Sequence, residues 1–340
     1  MRKSFKLLLL SLLLTFSVTN VFAATFQENG SIDLDGVEEV VIELKHLATV
    51  GSVKLNFMSV NTYITSHDEN QLRVDLDMRV KSTAGDGLPE IILERDGSTV
   101  TVKFDSKNKK GVGFFRWGEI NSYIQLPSSY KGKLQLITST NDAVFQDLKV
   151  PELDIRSKVG NIELRNVKSD SILLNNELGD VLIDQVEAED IFVRSSVGII
   201  KCREANIADT SFENTYGKID VEQLKAIESK IVNDEGHIFI DKIEGKVHMQ
   251  SSEGNIRAYL GDLVNDVIAI NNTGVTRLYI RKESSFDYQI TNNAGAVKFE
   301  FPCDENPEGN ISKSFTGTVG DGGPLLMVSV ATGNIHIRPY

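Results

Sequence analysis

The sequence predicts an all-β protein built as a parallel β-solenoid. Three observations support this prediction. A short phrase centred on a glycine recurs through the second half of the chain, the residues around each glycine alternate between apolar and polar, and no stretch after the N-terminal leader keeps a helical period. Successive glycines are spaced by 19, 19, 19, 19, 18, 20 and 21 residues. A period this steady is typical of a solenoid, in which each repeat stacks on its neighbours.

The first 23 residues are predicted to be a secretory signal peptide. The basic start MRKSFK precedes the apolar run LLLLSLLLTFSV, and the small residues Val21 and Ala23 suit cleavage after Ala23. That run is shorter than the about 20 residues that a membrane-spanning helix needs, and no later segment is long and apolar enough to span. We therefore expect an exported mature chain without a transmembrane segment. No wall-sorting signal or lipobox is present, which leaves the periplasm and the cell surface or extracellular space open.

Charge and cysteine content exclude some classes of protein. The formal charge is −12, and loss of Arg2, Lys3 and Lys6 with the leader takes it to −15. A chain this acidic is not expected to bind nucleic acid. With only Cys202 and Cys303, the chain does not depend on a disulfide framework. Cys202 falls at an inward position, which favours a small buried apolar residue, and the sequence leaves a bond to Cys303 open.

Residues 24–132 are predicted to form an N-terminal β region that is less regular and partly antiparallel. Val53 and Leu55 follow Gly51 as apolar residues follow the later glycines, so this segment is interpreted as a degenerate first rung. The segment QLRVDLDMRV alternates as a half-buried strand does. The Asp-Gly pair at 96–97 stands between two apolar runs, which predicts a β-hairpin.

Residues 133–340 are predicted to form the regular array. We call each turn of the solenoid a rung and the position of its glycine the corner. Residues at −7, −5, +2 and +4 from the corner are mainly apolar, so each rung has one strand before the corner and one after it, each with one inward face. Asn takes the first corner, because it tolerates positive φ better than other non-glycine residues. The corners are Asn141, Gly160, Gly179, Gly198, Gly217, Gly236, Gly254, Gly274, Gly295 and Gly333.

Two columns of polar residues follow the same period. Position −3 holds small polar residues, which are expected to hydrogen-bond along the stack or to cap the corner: Thr138, Ser157, Asn176, Ser195, Asn214, Asn233, Ser251, Asn271 and Asn292. Position +5 alternates in charge along Arg165, Asp184, Arg203 and Glu222. Opposite charges on successive rungs are expected to pair on a solvated face, at about 0.2–1 kcal/mol for each pair.

The C-terminal part breaks the period. Gly295 and Gly333 are 38 residues apart, twice the repeat, and Ser314 stands at the midpoint. This spacing predicts a rung that lacks its glycine, followed by an irregular C-terminal rung in which LLMVSVATGNIHI restores the phrase. The irregular segments at both ends are expected to protect the terminal strands, since exposed strand edges promote aggregation.

The phrase S-x-x-G-x-I-x-hydrophobic, on a period near 19 and behind a leader, resembles the bacterial "putative adhesin" beta-strand repeat family. The pattern extends from about Val37 to Ile337 and includes the glycine-rich loop before SVATGNIHI. The resemblance implies a parallel β-solenoid (β-helix) of the cell envelope. Members of that family are domains of unknown function, and their adhesin description is itself drawn from architecture.

The sequence offers no motif for catalysis. It has no GxSxG, HExxH, P-loop or CxxC pattern, and the five histidines lack metal-ligand spacing. Carboxylates recur along the array but alternate with basic residues, and the coils carry no long insertions to form a cleft. We therefore predict no enzyme activity, no catalytic residue, no metal and no cofactor. The alternative is a carbohydrate-active β-helix enzyme, a polysaccharide lyase or hydrolase, since known members use clustered carboxylates.

Two segments are candidate binding surfaces. One is an aromatic and basic loop, which could stack on a sugar or cover an end of the solenoid: Phe114, Phe115, Arg116 and Trp117. The other is a set of outward-facing aromatic residues flanked by arginines on nearby rungs: Phe239, Arg257, Tyr259, Arg277 and Tyr279. An aromatic strip beside arginines suits glycan or protein binding.

The leading functional hypothesis is an exported, adhesin-like binding or scaffolding protein of the bacterial envelope. Its expected partner is a surface glycan or an envelope protein, and the sequence leaves the partner's identity and the oligomeric state open. A further alternative is a periplasmic component that senses the state of the envelope and signals to a partner.

Overall fold

The computed structural model describes residues 21–23, 31–34, 39–43, 52–57, 60–69, 71–79, 90–96, 99–105, 119–302 and 313–340. All regular elements in these ranges are β-strands of one sheet. In chain order they are β1 (Val21–Ala23), β2 (Ser31–Leu34), β3 (Glu39–Glu43), β4 (Ser52–Phe57), β5 (Asn61–His67), β6 (Gln71–Arg79), β7 (Glu90–Asp96), β8 (Thr99–Asp105), β9 (Glu119–Pro127), β10 (Lys133–Thr138), β11 (Ala143–Lys149), β12 (Glu152–Val159), β13 (Ile162–Leu178), β14 (Val181–Val221), β15 (Leu224–Ile240), β16 (Ile243–Glu253), β17 (Ile256–Gly261), β18 (Val267–Thr273), β19 (Thr276–Ile280), β20 (Phe286–Ala294), β21 (Val297–Phe299), β22 (Lys313–Val319), β23 (Leu325–Thr332) and β24 (Ile335–Pro339).

The chain is an all-β parallel solenoid, as the sequence predicts. Strands that precede the corner pair in parallel with the same strands of neighbouring rungs, so that Leu134, Leu153 and Ile172 align in one column. Strands that follow the corner form a second parallel face, where Ala143, Ile162 and Val181 align. These inward columns are fully buried, and each aliphatic side chain contributes about 1.5–3 kcal/mol by leaving water. No rung could bury this face alone, so the rungs depend on one another.

The corners bring backbone against backbone. Each corner glycine has a positive φ between 132° and 151°, and Asn141 has a φ of 86°. A Cβ on any of these glycines would overlap the carbonyl oxygen of the corner residue in the adjacent rung. For Gly160 that oxygen belongs to Asn141, and for Gly179 it belongs to Gly160. The stack therefore requires glycine at these corners both for its φ and for its lack of a side chain.

Buried asparagines at position −3 donate hydrogen bonds to the corner carbonyl oxygens of adjacent rungs. The Nδ2 atom of Asn214 donates to the carbonyl oxygen of Gly198 at 2.9 Å, and that of Asn233 donates to the carbonyl oxygen of Gly217 at 3.0 Å. Asn176, Asn271 and Asn292 donate in the same way to a corner carbonyl of an adjacent rung. The side chains at −3 are buried. The asparagines therefore link successive rungs inside the core. The buried hydroxyls of Ser157, Ser195 and Ser251 in the same column form no hydrogen bond, so the expectation that they also bond along the stack or cap the corner was wrong.

The N-terminal end has rungs stacked out of sequence order. β8 and β9 form a rung on the outer side of β4 and β5, which in turn stack on β10 and β11. Antiparallel β7 and β6 cover the outer rung, and the β7–β8 hairpin joins Asp96 to Thr99 as predicted. One assignment was wrong. Val53 and Leu55 align with Leu134 and Leu136, so they precede their corner and do not follow it.

The C-terminal end is also stacked out of order. β23 lies between β18 and β20, and β24 lies between β19 and β21. The corner order is therefore Gly274, Gly333, Gly295, because Gly333 fits against the carbonyl of Gly274 and Gly295 fits against that of Gly333. The prediction of a rung with Ser314 at its corner was wrong. Ser314 lies in β22, which pairs antiparallel with β20 and covers the terminal rung.

The core is mainly aliphatic along the array, where Phe145 and Phe212 are also fully buried, and it is richer in aromatic residues at its C-terminal end. Phe286 packs edge-on against Phe301 at 5.2 Å between ring centroids, and Tyr288 packs against Phe299 at 4.8 Å. Cys202 is a free thiol with 0% exposure, and burial raises its pKa to about 12. It acts as a small apolar residue, as expected, while Cys303 lies outside the described residues.

Replacing a corner glycine should destabilise the protein strongly. Gly198→Ala places a Cβ on the carbonyl oxygen of Gly179 at a φ of 139°, so we expect a loss of about 3 kcal/mol or more from backbone strain and overlap. Gly261→Ala is the matched control, since its φ is 63° and nothing lies within 4 Å of the added Cβ; it should cost only about 1–2 kcal/mol. Urea-unfolding midpoints measure both, and equal losses would contradict the proposed role of the corner contact.

The asparagine column gives a second prediction. Asn214→Asp keeps the side-chain shape but removes the donor and sets a buried carboxylate against the Gly198 carbonyl, so it should cost about 3 kcal/mol or more. Asn214→Ser should cost less, because serine occupies this position in other rungs such as those of Ser195 and Ser251. Asn272→Asp controls for the added charge, because Asn272 is exposed at position −2 of another rung, that of Gly274. Equal midpoints for Asn214→Asp and Asn272→Asp would rule out the capping role.

Candidate functional site

The outward surface of the face that follows the corners carries two columns of side chains near the C-terminal end. In the +3 column, Phe239 is aligned with Arg257, Arg257 with Arg277, and Arg277 with His336. In the +5 column, Tyr259 is aligned with Tyr279, and Tyr279 with Arg338. Both columns run across the rungs at the strand spacing of about 4.8 Å. We call the following set the aromatic–basic patch: Arg257, Tyr259, Arg277, Tyr279, His336, Arg338 and Tyr340.

Three tyrosines form the aromatic part of the patch. The rings of Tyr259 and Tyr279 stack with centroids 4.2 Å apart and an interplanar angle of 14°. Tyr340 meets Tyr259 edge-on at 5.6 Å. Tyr279 is only 8% exposed, whereas Tyr340 is 54% exposed. Tyr279 is therefore covered by its neighbours in the same column, Tyr259 and Arg338, whereas Tyr259 is half-buried and Tyr340 presents most ring surface to solvent.

Arginines hold the tyrosines in place. The guanidinium of Arg338 lies 4.6 Å from the ring centroid of Tyr279 and donates to its hydroxyl oxygen at 2.6 Å. Arg257 lies 5.2 Å from the ring centroid of Tyr259 and 5.6 Å from that of Tyr279. It also donates to the hydroxyl oxygen of Tyr259 at 2.5 Å. These cation–π contacts and hydrogen bonds fix the ring planes.

The patch differs from the rest of this face in its charge balance. Elsewhere basic side chains pair with carboxylates: Arg203 with Asp184 at 3.5 Å, Lys201 with Glu222 at 2.6 Å, and Lys218 with Asp220 at 2.5 Å. Within the described ranges, no carboxylate forms a salt bridge with Arg257, Arg277 or Arg338. Two carboxylates still act on the patch from its flanks, Asp241 on Arg257 and Glu300 on Arg338. Arg257 and Arg277 also stand directly opposite each other, an arrangement of like charges that costs stability. The contacts of Arg257 with Tyr259 and Tyr279 offset part of this cost. Local arrangements that cost stability are common where a surface serves binding.

His336 lies within this positive field. Its pKa is lowered from the ordinary value by burial first, and then by the charges of Arg277, Lys298 and Arg338, while Glu300 acts in the opposite direction. Lys298 is paired with Glu300 at 2.7 Å. The imidazole is therefore neutral near pH 7 and takes up a proton more readily when an anion lies beside it.

The structure brings together most of the residues of the second predicted surface. Phe239 lies at the margin of the patch, where Lys218 sits 4.7 Å from its ring centroid. Sequence reasoning missed His336, Arg338 and Tyr340, because it placed the last rung beyond Gly295. The only available signal was the repeated phrase itself, which put His336 and Arg338 at offsets +3 and +5. The first predicted surface, Phe114 to Trp117, lies outside the described residues.

A second exposed feature is an apolar ridge beside the corners, at position −1 of four successive rungs with one residue at +1. Its members are each between 38% and 49% exposed: Val159, Leu178, Val197, Ile199 and Tyr216. The ridge lies on the corner edge, in rungs other than those of the patch. In the described part of the chain, no cluster of three metal-ligating side chains is present, and no helix is long and apolar enough to cross a membrane.

Comparison with known protein families identifies the fold. A family model described as Toastrack DUF4097 matches residues 50–338, which is most of the chain. The chain belongs to this family. The match spans both the irregular N-terminal rungs and the regular array, and it agrees with the resemblance inferred from the repeated phrase. No curated protein sequence is significantly similar to the chain.

Three solved structures are similar to this Toastrack chain. A "putative cell adhesion protein" from Clostridium sporogenes is 10% identical, with a TM-score of 0.23, and the match covers 92% of this chain and 100% of that one. A "putative adhesin" from Parabacteroides merdae is 12% identical, with a TM-score of 0.42, over 74% and 98%. Another "putative adhesin", from Bacteroides fragilis, is 11% identical, with a TM-score of 0.29, over 93% and 100%. At scores this low, the likeness says nothing about what this chain binds.

The ring of Tyr279 should contribute more to the stability of the protein than its hydroxyl group does. Tyr279→Ala removes a buried ring stacked on Tyr259 and Arg338, so we expect a loss of about 3–4 kcal/mol. Tyr279→Phe keeps the ring and loses only the hydrogen bond to Arg338, at about 1 kcal/mol. Urea unfolding compares the two variants. Equal and small losses would show that the stack does not hold this surface.

Proposed function

We propose that this protein is an exported, non-enzymatic, adhesin-like binding or scaffolding protein of the bacterial envelope, and that it makes contact through the aromatic–basic patch. The observation that supports the contact surface is the set of three arginines without a salt bridge, Arg257, Arg277 and Arg338, beside the half-buried Tyr259 and the exposed Tyr340. Aromatic and arginine side chains dominate the energetics of many binding surfaces.

The setting of the patch also supports a binding role. Its side chains lie on strands that are packed on both edges, since β17, β19, β24 and β21 pair in succession. The rings of Tyr259 and Tyr279 are fixed by stacking and by hydrogen bonds from Arg257 and Arg338, so they lose little side-chain entropy when a partner binds. Tyr340 follows the last strand and contacts Tyr259 edge-on.

Export is proposed from the predicted signal peptide. Its last three residues form β1, which pairs with β3 in the full-length chain, so cleavage after Ala23 would remove this strand from the mature protein. The adhesin-like role is in line with the resemblance noted from the sequence.

The exposed tyrosines should be required for binding to envelope material. Purified protein is sedimented with the isolated envelope fraction of the source bacterium, and the bound fraction is titrated. Tyr259→Ala and Tyr340→Ala should each weaken binding about tenfold, as loss of an aromatic hot spot does. Tyr216→Ala is the matched control, because Tyr216 is 49% exposed but lies on the apolar ridge.

Two results would overturn the proposal. Unchanged binding of Tyr259→Ala and Tyr340→Ala, with circular dichroism showing both folded, would remove the patch as the contact surface. Turnover of a polysaccharide substrate, lost on replacing a single carboxylate, would identify an enzyme and contradict a purely binding role.

A further inference from the structure

We propose that the ligand of the aromatic–basic patch is an acidic polysaccharide. Its anionic substituents would pair with Arg257 and Arg277 of the +3 column, and its sugar rings would lie against Tyr259 and Tyr340. This inference rests on the proposed function and specifies the chemical class of the partner.

The charge of the ligand follows from the contrast between the patch and its surroundings. The protein as a whole has a formal charge of −12, and its other outward arginines and lysines are largely matched by neighbouring carboxylates, as Arg203 is by Asp184. Arg257, Arg277 and Arg338 form no salt bridge among the described residues. Asp241 and Glu300 act on Arg257 and Arg338 only from the flanks of the patch, so the basic side chains remain in excess there. A local positive field on an acidic protein attracts anions and repels other acidic proteins like itself.

The linear arrangement indicates a polymer. Arg257, Arg277, His336 and Lys298 occupy consecutive positions of one column, because each is aligned with the next across paired strands. Neighbours in this column are about 4.8 Å apart at the backbone. Arginine guanidinium groups bind planar anionic groups such as carboxylates through two parallel hydrogen bonds. A chain of charged sugars lying across the rungs would meet successive basic side chains.

The tyrosine rings at the surface of the patch favour a sugar ligand over an acidic peptide. Tyr259 and Tyr340 meet edge-on at 5.6 Å, so their rings present two surfaces at right angles beside the arginine column. Flat aromatic surfaces with a polar rim suit the apolar faces of sugar rings. Tyr279 lies between Tyr259 and Arg338 in one column, stacks on Tyr259 and accepts a hydrogen bond from Arg338, so the ring of Tyr259 keeps its orientation without a ligand.

The test measures binding to polymers of defined charge by isothermal calorimetry. The probes are polygalacturonate, its methyl ester, dextran sulfate, neutral dextran and polyglutamate. We expect binding to polygalacturonate or dextran sulfate, weakening as salt rises, and no measurable binding to the methyl ester or neutral dextran. The two anionic probes separate carboxylate from sulfate as the preferred substituent, and binding of either supports the proposal.

Matched variants locate the binding site. Arg257→Gln combined with Arg277→Gln should weaken binding to the anionic polymer about 100-fold. Arg203→Gln, on the same face but paired with Asp184, should leave it unchanged. The pKa of His336 is lowered by burial and by Arg277, Lys298 and Arg338, with Glu300 acting in the opposite direction. Binding should therefore strengthen as the pH falls below the ordinary pKa of histidine and His336 gains its proton, and His336→Gln should remove this dependence.

Three results would overturn the inference. Equal binding to polygalacturonate and its methyl ester would show that the protein does not recognise the carboxylates of the polymer. Glycan binding through the tyrosines would remain possible in that case. Tighter binding of polyglutamate, insensitive to Tyr259→Ala, would replace the glycan with an acidic peptide. No binding of any anionic probe, by protein that still sediments with envelope material, would reject the ligand class without rejecting the proposed function.

Discussion

The whole stack depends on the approach of one corner backbone to the next. The carbonyl oxygen of each corner residue occupies the space where the Cβ of the adjacent corner residue would stand. This contact sets the register of both parallel faces, since the strands on either side extend from the same corner. The asparagines at −3, such as Asn214 and Asn233, add a buried hydrogen bond between rungs at the same point. Aliphatic burial supplies most of the favourable free energy, and the corners determine where each rung sits.

The corner contact also determines which surface side chains meet. Gly333 fits between Gly274 and Gly295, so the last rung of the sequence is inserted inside the stack. This insertion places Arg338 over Tyr279 and His336 beside Arg277. Without it, the rung of Gly274 would face that of Gly295, whose +3 and +5 residues are Lys298 and Glu300, an ion pair. The order in which the rungs stack therefore brings two further basic side chains, His336 and Arg338, into the patch.

The regular part of the fold could be predicted from local pattern, because the inward offsets and the corner glycines repeat within one period. Their buried columns, and the parallel pairing of rungs such as those of Gly160 and Gly179, follow from that period. The ends could not be predicted in the same way. Whether β24 stacks on β19 or beyond β21 depends on contacts between segments with the same phrase, which sequence order alone does not distinguish. The site was found in part for the same reason: Arg257, Tyr259 and Arg277 lie on adjacent rungs, whereas Arg338 and Tyr340 reach them only through the insertion.

The most direct test of this account is a disulfide map of the C-terminal rungs, in a Cys303→Ser background. Thr273 and Thr332 are aligned partners, and so are Thr332 and Ala294, whereas Thr273 and Ala294 are two strands apart. Cα atoms about 4.8 Å apart can be bridged and those about 9.6 Å apart cannot. After mild oxidation, peptide mapping should find the bond in Thr273→Cys/Thr332→Cys and not in Thr273→Cys/Ala294→Cys. The reverse result would mean that the rungs stack in sequence order, and the patch as described would not exist.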